Sequence, residues 1–277
     1  MSYQCPLCSL PLTARSDGFE CENNHQFDSA KEGYVNLMPV QHKRSKQPGD
    51  NADMMQARRR FLATEHYHPL REAVAKLCTT YTEGTAGQLL DIGCGEGYYT
   101  AYIGEQLLAK QPQSTCYGLD ISKVAIRYAA KRYTSDAMQF CVASSQRLPF
   151  ADDSLNAIVR IYAPCQAQEM ARVLTDQGVV ITVTPAGRHL YQLKELVYQQ
   201  VHLHDETPEQ IAGFTLIEES KLSYDMILTG QQADDLLQMT PFAWKASAMV
   251  RSQLAAAAQF VCSADFMIRV YRKDQPD

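Results

Sequence analysis

The N-terminal segment contains four side chains that could together bind a metal ion. Cys5, Cys8, Cys21 and His25 follow one another with two, twelve and three residues between them. Thiolate and imidazole donors at such spacings suit tetrahedral Zn²⁺, and four protein ligands leave no open coordination position. We therefore predict one zinc ion per chain, with a structural role. The competing interpretation is a redox-active Cys-x-x-Cys pair, but no βαβ pattern surrounds these cysteines.

A second group of candidate functional residues lies in the segment LLDIGCGEGYYT. It contains three glycines and two acidic residues, namely Asp91, Gly93, Gly95, Glu96 and Gly97. Glycines after an apolar run allow a tight turn and let the backbone approach a ligand closely. The next apolar run, CYGLD, ends at Asp120, where a carboxylate can accept both hydrogen bonds of a ribose diol. These residues predict a nucleoside-containing cofactor at a strand-to-helix turn.

The residues around this turn favour one class of cofactor over another. A dinucleotide needs backbone amides for its pyrophosphate. S-adenosylmethionine has no phosphate, but it has an α-amino group that an acidic residue near the turn can position. The pattern D-x-G-x-G-x-G with a following Asp therefore favours S-adenosylmethionine over NAD. The glycines alone would also suit an ordinary α/β turn.

The elements that must position these residues change along the chain. Residues 1–36 are cysteine-rich, with short alternating runs, and we predict a small zinc-binding module there. Residues 37–66 form a basic linker with a short helix, ADMMQARRRFL, which Asp50 or Asn51 could cap. In residues 67–277, helical and strand patterns alternate at the spacing of βαβ units, and two late alternating segments suggest an antiparallel edge. The predicted fold is α/β, with a mostly parallel Rossmann-like sheet, an antiparallel edge hairpin and a zinc-ribbon-like N-terminal domain.

Composition narrows the functional classes. The net charge of −5 argues against indiscriminate coating of nucleic acid, and no apolar run is long enough to span a bilayer. Nine cysteines without a signal peptide predict a reducing cytoplasm rather than disulfides. Residues 42–60 nevertheless hold six Lys or Arg against two Asp. This segment is either a solvated linker or a site for RNA phosphates, with Lys43, Arg44, Arg58 and Arg59 as the candidate contacts.

Several motifs resemble those of class I methyltransferases. LLDIGCGEGYYT resembles their motif I, YGLDIS their motif II, and VASSQRLPFADDSLNAIV the stretch through motifs III and IV. The resemblance implies an adenine contact near Ser144 or Ser145, although many members carry Asp where Ser144 stands. Tyr162 and Pro164 occupy the motif IV position, where they could line a pocket for the target base. The Asn-Pro-Pro-Tyr signature of exocyclic-amine methylases is absent, which agrees with a ring-nitrogen target.

The whole chain resembles the RlmA family of 23S rRNA guanine-N1 methyltransferases. The resemblance rests on CPLC…C…H, QFDSAKEGYVNL, VQHKRSKQPGD, MMQARRRFL and QMTPFAW. It implies methylation of one guanosine in the hairpin 35 loop of 23S rRNA, at position 745, by a homodimer whose clefts hold the RNA. It also implies that Tyr67 closes over the cofactor and that His189 touches it, although packing or surface roles would equally suit these two residues.

The substrate assignment leaves alternatives open. Trp244, the only tryptophan, could stack on a flipped base or lie in the core. The residues alone do not identify a general base. A small-molecule methyltransferase of the quinone or lipid type remains an alternative, because LPFADDSLNAIV also suits such enzymes. A non-catalytic RNA-binding assembly protein is a second one, although Asp91, Asp120 and the intervening glycines argue against it.

Overall fold

The computed structural model describes residues 3–39 and 52–275, which contain two sheets. The small antiparallel sheet has the order β1-β2-β3, and the large sheet has eight strands in the order β10-β11-β9-β8-β5-β6-β7-β4. The strands are β1 (Thr13–Ala14), β2 (Gly18–Glu20), β3 (Gln26–Asp28), β4 (Val35–Asn36), β5 (Gln88–Ile92), β6 (Thr115–Asp120), β7 (Met138–Val142), β8 (Leu155–Ile161), β9 (Leu174–Pro185), β10 (Phe214–Leu228) and β11 (Phe260–Lys273).

Eight α-helices and one 3₁₀ helix are present in the described residues. They are α1 (Ala52–Leu62), α2 (His68–Tyr81), α3 (Tyr98–Lys110), α4 (Lys123–Tyr133), α5 (Ala167–Val173), α6 (Tyr191–Val197), α7 (Gly230–Gln238), the 3₁₀ helix Ala243–Lys245 and α8 (Ala248–Ala256). None of these helices combines the length and apolar character needed to cross a membrane.

The large sheet is parallel from β4 to β9 and ends in two antiparallel strands. β5 pairs with β6 and β8, and β8 pairs with β9, all in parallel. β11 then pairs antiparallel with β9 and with β10. The α/β fold with an antiparallel edge hairpin is therefore confirmed, and the carboxyl ends of the parallel strands meet at one edge, where ligands bind in such sheets.

Local sequence explains where the connections that follow strands β5 and β6 begin. Strand β5 is buried over Leu89–Ile92 and is followed by Gly93, whose φ of 72° lies in the left-handed region. Helix α4 follows β6 after a short turn, and the Ser122 side chain caps it by accepting a hydrogen bond from the Ala125 N–H at 3.3 Å. These breaks place the ends of β5 and β6 beside each other.

The N-terminal segment is packed against the large sheet. The Tyr3 ring lies 5.8 Å from the Tyr117 ring and 5.5 Å from the Phe150 ring, between centroids. Strand β4 pairs in parallel with β7 and adds an eighth strand to the sheet. The zinc-binding segment and the α/β domain therefore share part of one core.

Helix α1 has the bounds that the ADMMQARRRFL pattern predicts. Its proposed caps, Asp50 and Asn51, lie outside the described residues. The helix packs against α7 through an ion pair in which Arg60 donates two hydrogen bonds, of 2.6 and 3.0 Å, to Asp235 Oδ1. Because Asp235 is buried, this contact fixes α1 beside the carboxyl edge of the sheet.

Candidate functional site

The four candidate metal ligands converge in the small N-terminal sheet. Cys5 and Cys8 lie on a turn in which the Ser9 N–H donates to the Cys5 carbonyl at 2.8 Å. Cys21 follows β2 and His25 precedes β3, on a turn where Asn24 has a φ of 58°. Their ligand atoms all lie within 4.8 Å of one another.

The distances between these atoms fit a tetrahedral zinc site. With Zn–S bonds of about 2.3 Å and Zn–N bonds of about 2.0–2.1 Å, tetrahedral angles separate two sulfurs by about 3.8 Å and sulfur from nitrogen by about 3.6 Å. His25 Nδ1 lies 3.5 Å from both Cys5 Sγ and Cys21 Sγ, and Cys8 Sγ lies 3.6 Å from Cys21 Sγ. Three thiols and one imidazole therefore fit a zinc ion with a closed, structural coordination shell.

A cavity of about 860 Å³ opens at the carboxyl edge of the large sheet. One end is lined by the turn after β5, and the other by the ends of β8 and β9, helix α6 and the segment that follows it. Predicted residues that line the cavity are Arg58, Arg59, Tyr67, Asp91, Gly93, Gly95, Glu96, Tyr162 and His189. The structure thus brings together residues that are up to 131 positions apart, from Arg58 to His189.

Two glycines give the turn after β5 its shape. A Cβ at Gly93 would lie 2.8 Å from the Ala163 side chain, so a larger residue would collide with the segment after β8. Gly95 has a φ of 56°, and a Cβ there would meet no atom within 4 Å. Gly95 therefore leaves open space on the cavity side, where a ligand can approach the backbone.

The two aspartates near the glycine turn, Asp91 and Asp120, have different surroundings. Asp91 is 2% exposed and accepts a 2.6 Å hydrogen bond from the Thr100 hydroxyl. Asp120 is half-buried outside the cavity lining, where Oδ2 accepts from the Gly95 N–H at 2.9 Å and Oδ1 from the Ser122 N–H at 2.7 Å. Asp120 therefore stabilises the glycine turn by accepting hydrogen bonds from its backbone on both carboxylate oxygens.

Glu96 forms a bidentate ion pair across the mouth of the cavity. Arg59 Nε and Nη2 donate to its two carboxylate oxygens at 2.7 and 2.6 Å. The Arg59 guanidinium also lies 3.9 Å above the Tyr128 ring, and the hydrogen bonds to Glu96 raise its pKa above the usual range. In this structure Arg59 connects α1 to the glycine turn.

The other end of the cavity contains aromatic side chains. Tyr162 follows β8 with a φ of 57°, a strained conformation for an aromatic residue, and its side chain is 49% exposed. His189 is buried, with its ring 4.7 Å from that of Phe266, and its Nδ1 accepts from the Asp265 N–H at 3.2 Å. Tyr67 is buried at the start of α2, in edge contact with Phe61 and Phe266.

Other residues predicted to bind cofactor or RNA lie outside the cavity lining or outside the described residues. Gly97 and Ser144 do not line the cavity. The Ser144 hydroxyl closes a turn after β7 by accepting from the Gln146 N–H at 3.1 Å. Trp244 is 77% exposed in the 3₁₀ helix, next to cavity-lining Phe242. Lys43 and Arg44 lie outside the described residues.

Several residues that line the cavity were not predicted as site residues from the sequence. They come from α6, from the segment after it and from the segment after α7, namely Lys194, Tyr198, Gln200, His202, His204 and Phe242. The two histidines of VHLHDE, so close to His189, are the signal that could have drawn attention to this segment. No periodic pattern marks it, because residues 198–213 form neither helix nor strand.

The buried carboxyl of Asp91 predicts a pH-dependent difference in stability between the wild type and Asp91→Asn. Burial, with a smaller contribution from the Asp120 charge, raises the pKa of Asp91 to about 7, although Thr100 opposes the shift. The native state therefore holds a proton that the unfolded chain releases above about pH 4. We expect the wild type to lose stability relative to Asp91→Asn as pH rises from about 4 to 8, by on the order of 4 kcal/mol.

Urea denaturation of the cofactor-free proteins at several pH values measures this difference. The exposed Asp136→Asn variant is the matched control, and its stability should follow that of the wild type. A difference between wild type and Asp91→Asn that stays constant from pH 4 to 8 would contradict the raised pKa.

The residues of the cavity fit S-adenosylmethionine. Open space at Gly95, the acidic groups Asp91 and Glu96 in the cavity lining, and the Asp120 carboxylate bonded to the Gly95 N–H suit a cationic nucleoside cofactor without phosphate. When bound, this cofactor supplies an electrophilic methyl group.

Comparison with known proteins finds matches for both the zinc-binding segment and the α/β domain. Residues 3–46 match the family model of the RlmA N-terminal zinc ribbon, and residues 84–240 match that of a methyltransferase domain. A Streptomyces fradiae protein named 23S rRNA (guanine(748)-N(1))-methyltransferase is 30% identical over 246 residues, which cover 87% of this chain and 85% of the relative. YxjB of Bacillus subtilis (strain 168), provisionally named for 23S rRNA guanine-N1 methylation, is 31% identical, covering 88% of this chain and 87% of the relative.

A third relative matches a smaller part of the chain. Phthiotriol/phenolphthiotriol dimycocerosates methyltransferase 1 of Mycobacterium ulcerans (strain Agy99) is 27% identical over 112 residues, 40% of this chain and 39% of the relative. The matches to the two relatives named for 23S rRNA thus extend over most of both chains, and the match to the zinc-ribbon model covers residues 3–46 separately. The chain belongs to the RlmA family of methyltransferases, which use S-adenosylmethionine and carry a structural zinc ion in an N-terminal ribbon.

Proposed function

We propose that this protein transfers a methyl group from S-adenosylmethionine to N1 of one guanosine in the hairpin 35 loop of 23S rRNA, in the cytoplasm. The observation that carries the proposal is the single cavity that joins the glycine turn to an aromatic end beside β8 and β9. Its volume of about 860 Å³ has room for a cofactor at one end and a base at the other. The target is guanosine 745.

The relatives support an RNA substrate over a small molecule. The matches to the two relatives named for 23S rRNA cover 85% and 87% of those proteins, whereas the match to the phthiotriol enzyme covers 39% of that protein. A closed zinc site next to the methyltransferase domain adds surface without adding catalytic metal chemistry. Such a surface suits a large substrate.

The chemistry of a loop guanine fits the aromatic end of the cavity. A hairpin loop presents unstacked bases with exposed Watson–Crick edges, which proteins stack on aromatic rings. Tyr162, His189 and Phe242 supply rings along the cavity, and Trp244 offers an exposed ring just outside it. A base turned into the cavity would place N1 near the cofactor, and positioning would supply much of the rate.

The RNA backbone needs cationic contacts, and arginines of α1 stand at the mouth of the cavity. Arg58 lies at the mouth of the cavity beside Arg59, in the C-terminal half of α1, the helix that follows the basic segment with Lys43 and Arg44 in the sequence. We assign phosphate contacts to this surface, and a homodimer would place two such surfaces along one RNA. Light scattering at the protein concentration of the assay measures the oligomeric state.

Primer extension on 23S rRNA tests this function. We expect incubation of unmodified 23S rRNA with the protein and S-adenosylmethionine to create a new reverse-transcriptase stop one nucleotide before guanosine 745, because a methyl on N1 blocks pairing. Guanosine 748 is the second candidate, since the Streptomyces fradiae relative is named for that position. A stop before guanosine 748 would move the assignment to that guanosine. If the protein binds cofactor but the reverse transcriptase still reads through the whole hairpin, the proposed function is contradicted.

A further inference from the structure

The β9 end of the cavity holds a lysine whose hydrogen-bond partner is another nitrogen. Lys194 lies on α6 and is 8% exposed, and its Nζ lies 2.5 Å from His204 Nε2. Among residues 3–39 and 52–275, no carboxylate oxygen comes within 4.0 Å of Lys194 Nζ. A buried amine without an acidic partner is easier to deprotonate than an exposed lysine.

The fold fixes both members of this pair. Lys194 lies in the first helix after β9, and its own N–H donates to the Leu190 carbonyl at 3.0 Å. The segment that carries His204 returns to the end of β9, where the His204 N–H donates to the Gly187 carbonyl at 3.3 Å and the Gly187 N–H donates to Glu206 Oε1 at 2.7 Å. The irregular segment is therefore tied to the same edge of the sheet as the glycine turn.

Sheet order places the pair on the base side of the cavity. Strand β8 separates β5, which leads into the glycine turn, from β9. With neighbouring strands about 4.8 Å apart, the ends of β5 and β9 lie about 10 Å apart. A cofactor bound at the glycine turn leaves the space between Tyr162, His189 and Lys194 for the target base.

Five other titratable groups of the cavity are engaged or unsuited to accept a proton there. Asp91 bonds to Thr100 beneath the glycine turn, and Glu96 is held by Arg59. Burial lowers the pKa of His189 to about 3, which makes its neutral ring a weak base. Burial also raises the pKa of Tyr98 to about 12 and that of Tyr67 well above its usual value, so both remain protonated phenols.

The electrostatic surroundings of the pair favour the neutral amine. Burial lowers the pKa of Lys194, while Cys262 of β11 opposes the shift. Burial and the Lys194 charge lower the pKa of His204, which Asp265 of β11 opposes. The Asp265 carboxylate accepts from the Arg188 N–H at 2.9 Å and lies 3.6 Å from Lys221 Nζ, so its charge is shared with these groups.

We propose that Lys194, with His204 as its hydrogen-bond partner, accepts the N1 proton of the target guanine during methyl transfer. The inference rests on the proposed function. The N1–H bond breaks as its proton moves to Lys194 Nζ, N1 bonds to the methyl carbon, and the carbon–sulfur bond breaks with its electron pair left on sulfur. The single positive charge passes from the sulfonium to the Lys194 ammonium. Lys194 is thus the catalytic base that the sequence did not reveal.

Three variants test the role of Lys194 in single-turnover methylation of 23S rRNA. We expect Lys194→Met to slow the reaction by about 10²–10⁴-fold at neutral pH, the usual contribution of a positioned base. Lys194→Arg should be similarly slow, because a guanidinium keeps its proton. Lys76→Met, at an exposed position on α2 away from the cavity lining, is the matched control and should retain the wild-type rate. Affinities for S-adenosylmethionine and RNA should stay within about threefold for all three, as for a group that acts in the chemical step.

The pH dependence of the methylation rate distinguishes a proton acceptor from a residue with a purely structural role. The wild-type rate should rise with pH up to the pKa of Lys194 and then level, whereas the Lys194→Met rate should keep rising until guanine N1 ionises by itself. NMR titration of lysine labelled with ¹³C at Cε reports on Lys194 without any reaction, through the resonance that Lys194→Met lacks. We expect that resonance to titrate below those of the other lysines.

The results of these experiments distinguish a failure of the Lys194 inference from a failure of the proposed function. A wild-type rate in Lys194→Met or Lys194→Arg would overturn the role of Lys194 while leaving the methyltransferase function intact. A wild type that binds cofactor without methylating 23S rRNA would contradict the function instead. In that case the NMR titration still decides the inference, since a Lys194 that titrates with the exposed lysines overturns it and one that titrates below them supports it.

Discussion

Asp120→Ala should weaken S-adenosylmethionine binding by about 10²–10⁴-fold. The substitution removes a carboxylate that would accept two charge-assisted hydrogen bonds from the ribose, worth about 1.5–3 kcal/mol each. It also frees the Gly95 and Ser122 N–H groups, which now donate to Asp120 at 2.9 and 2.7 Å, so the glycine turn loses its anchor. Isothermal titration calorimetry with the full-length protein measures the dissociation constant.

The control for this prediction is an exposed carboxylate at the opposite edge of the sheet, far from the glycine turn. Asp136 is exposed before β7, and Asp136→Ala should bind cofactor as the wild type does. RNA affinity should survive in Asp120→Ala, because RNA contacts are assigned to other residues. An unchanged cofactor affinity would contradict the role of Asp120, and a parallel loss of RNA affinity would mean that the domain had failed to fold.

Cys8→Ser should remove zinc from the N-terminal ribbon and unfold its three-stranded sheet. Structural zinc contributes on the order of 10–16 kcal/mol in finger peptides, and a segment of this size buries too little surface to fold without it. The strands of the ribbon are only two or three residues long, which agrees with a fold that depends on the metal. Zinc content by mass spectrometry and protease sensitivity of the N-terminal segment measure the effect.

A cysteine outside the metal cluster provides the matched control. Cys165 is half-buried and its thiol contacts the Ser145 carbonyl, so Cys165→Ser can keep that hydrogen bond and should retain one zinc per chain. Tyr3 and β4 pack against the large sheet, so the α/β domain should keep most of its structure in Cys8→Ser. Full zinc occupancy in Cys8→Ser would show that Cys8 is not a ligand.

The sequence predicted those features that depend on local pattern. The metal cluster followed from ligand type and spacing, and the structure confirms that Cys5, Cys8, Cys21 and His25 converge. The glycine turn followed from residues within one strand-turn-helix segment, and the fold class followed from alternating patterns. The roles of Tyr67, His189 and Ser144 toward a cofactor remain predictions, as do the RNA contacts.

The features that the sequence did not predict depend on contacts between segments that are far apart in the chain. The RNA contact of Arg59 remains a prediction, but the sequence does not predict its ion pair with Glu96, which is 37 residues away and is brought close only in the folded chain. His204 lies in a segment without helix or strand, so no periodicity marked it. The pairing of β4 with β7 joins a two-residue strand to the large sheet, and so short a strand has no pattern of its own.

The most direct test of the central claim is the identity of the methylated nucleoside. Unmodified 23S rRNA is incubated with the protein and S-adenosylmethionine that carries a deuterated methyl group, and the RNA is then digested to nucleosides and analysed by mass spectrometry. We predict deuterated 1-methylguanosine at one equivalent per rRNA with the wild type, and strongly reduced amounts with Asp120→Ala. A deuterated methyl on another guanine atom, or none on RNA from a protein that binds the cofactor, would contradict the account.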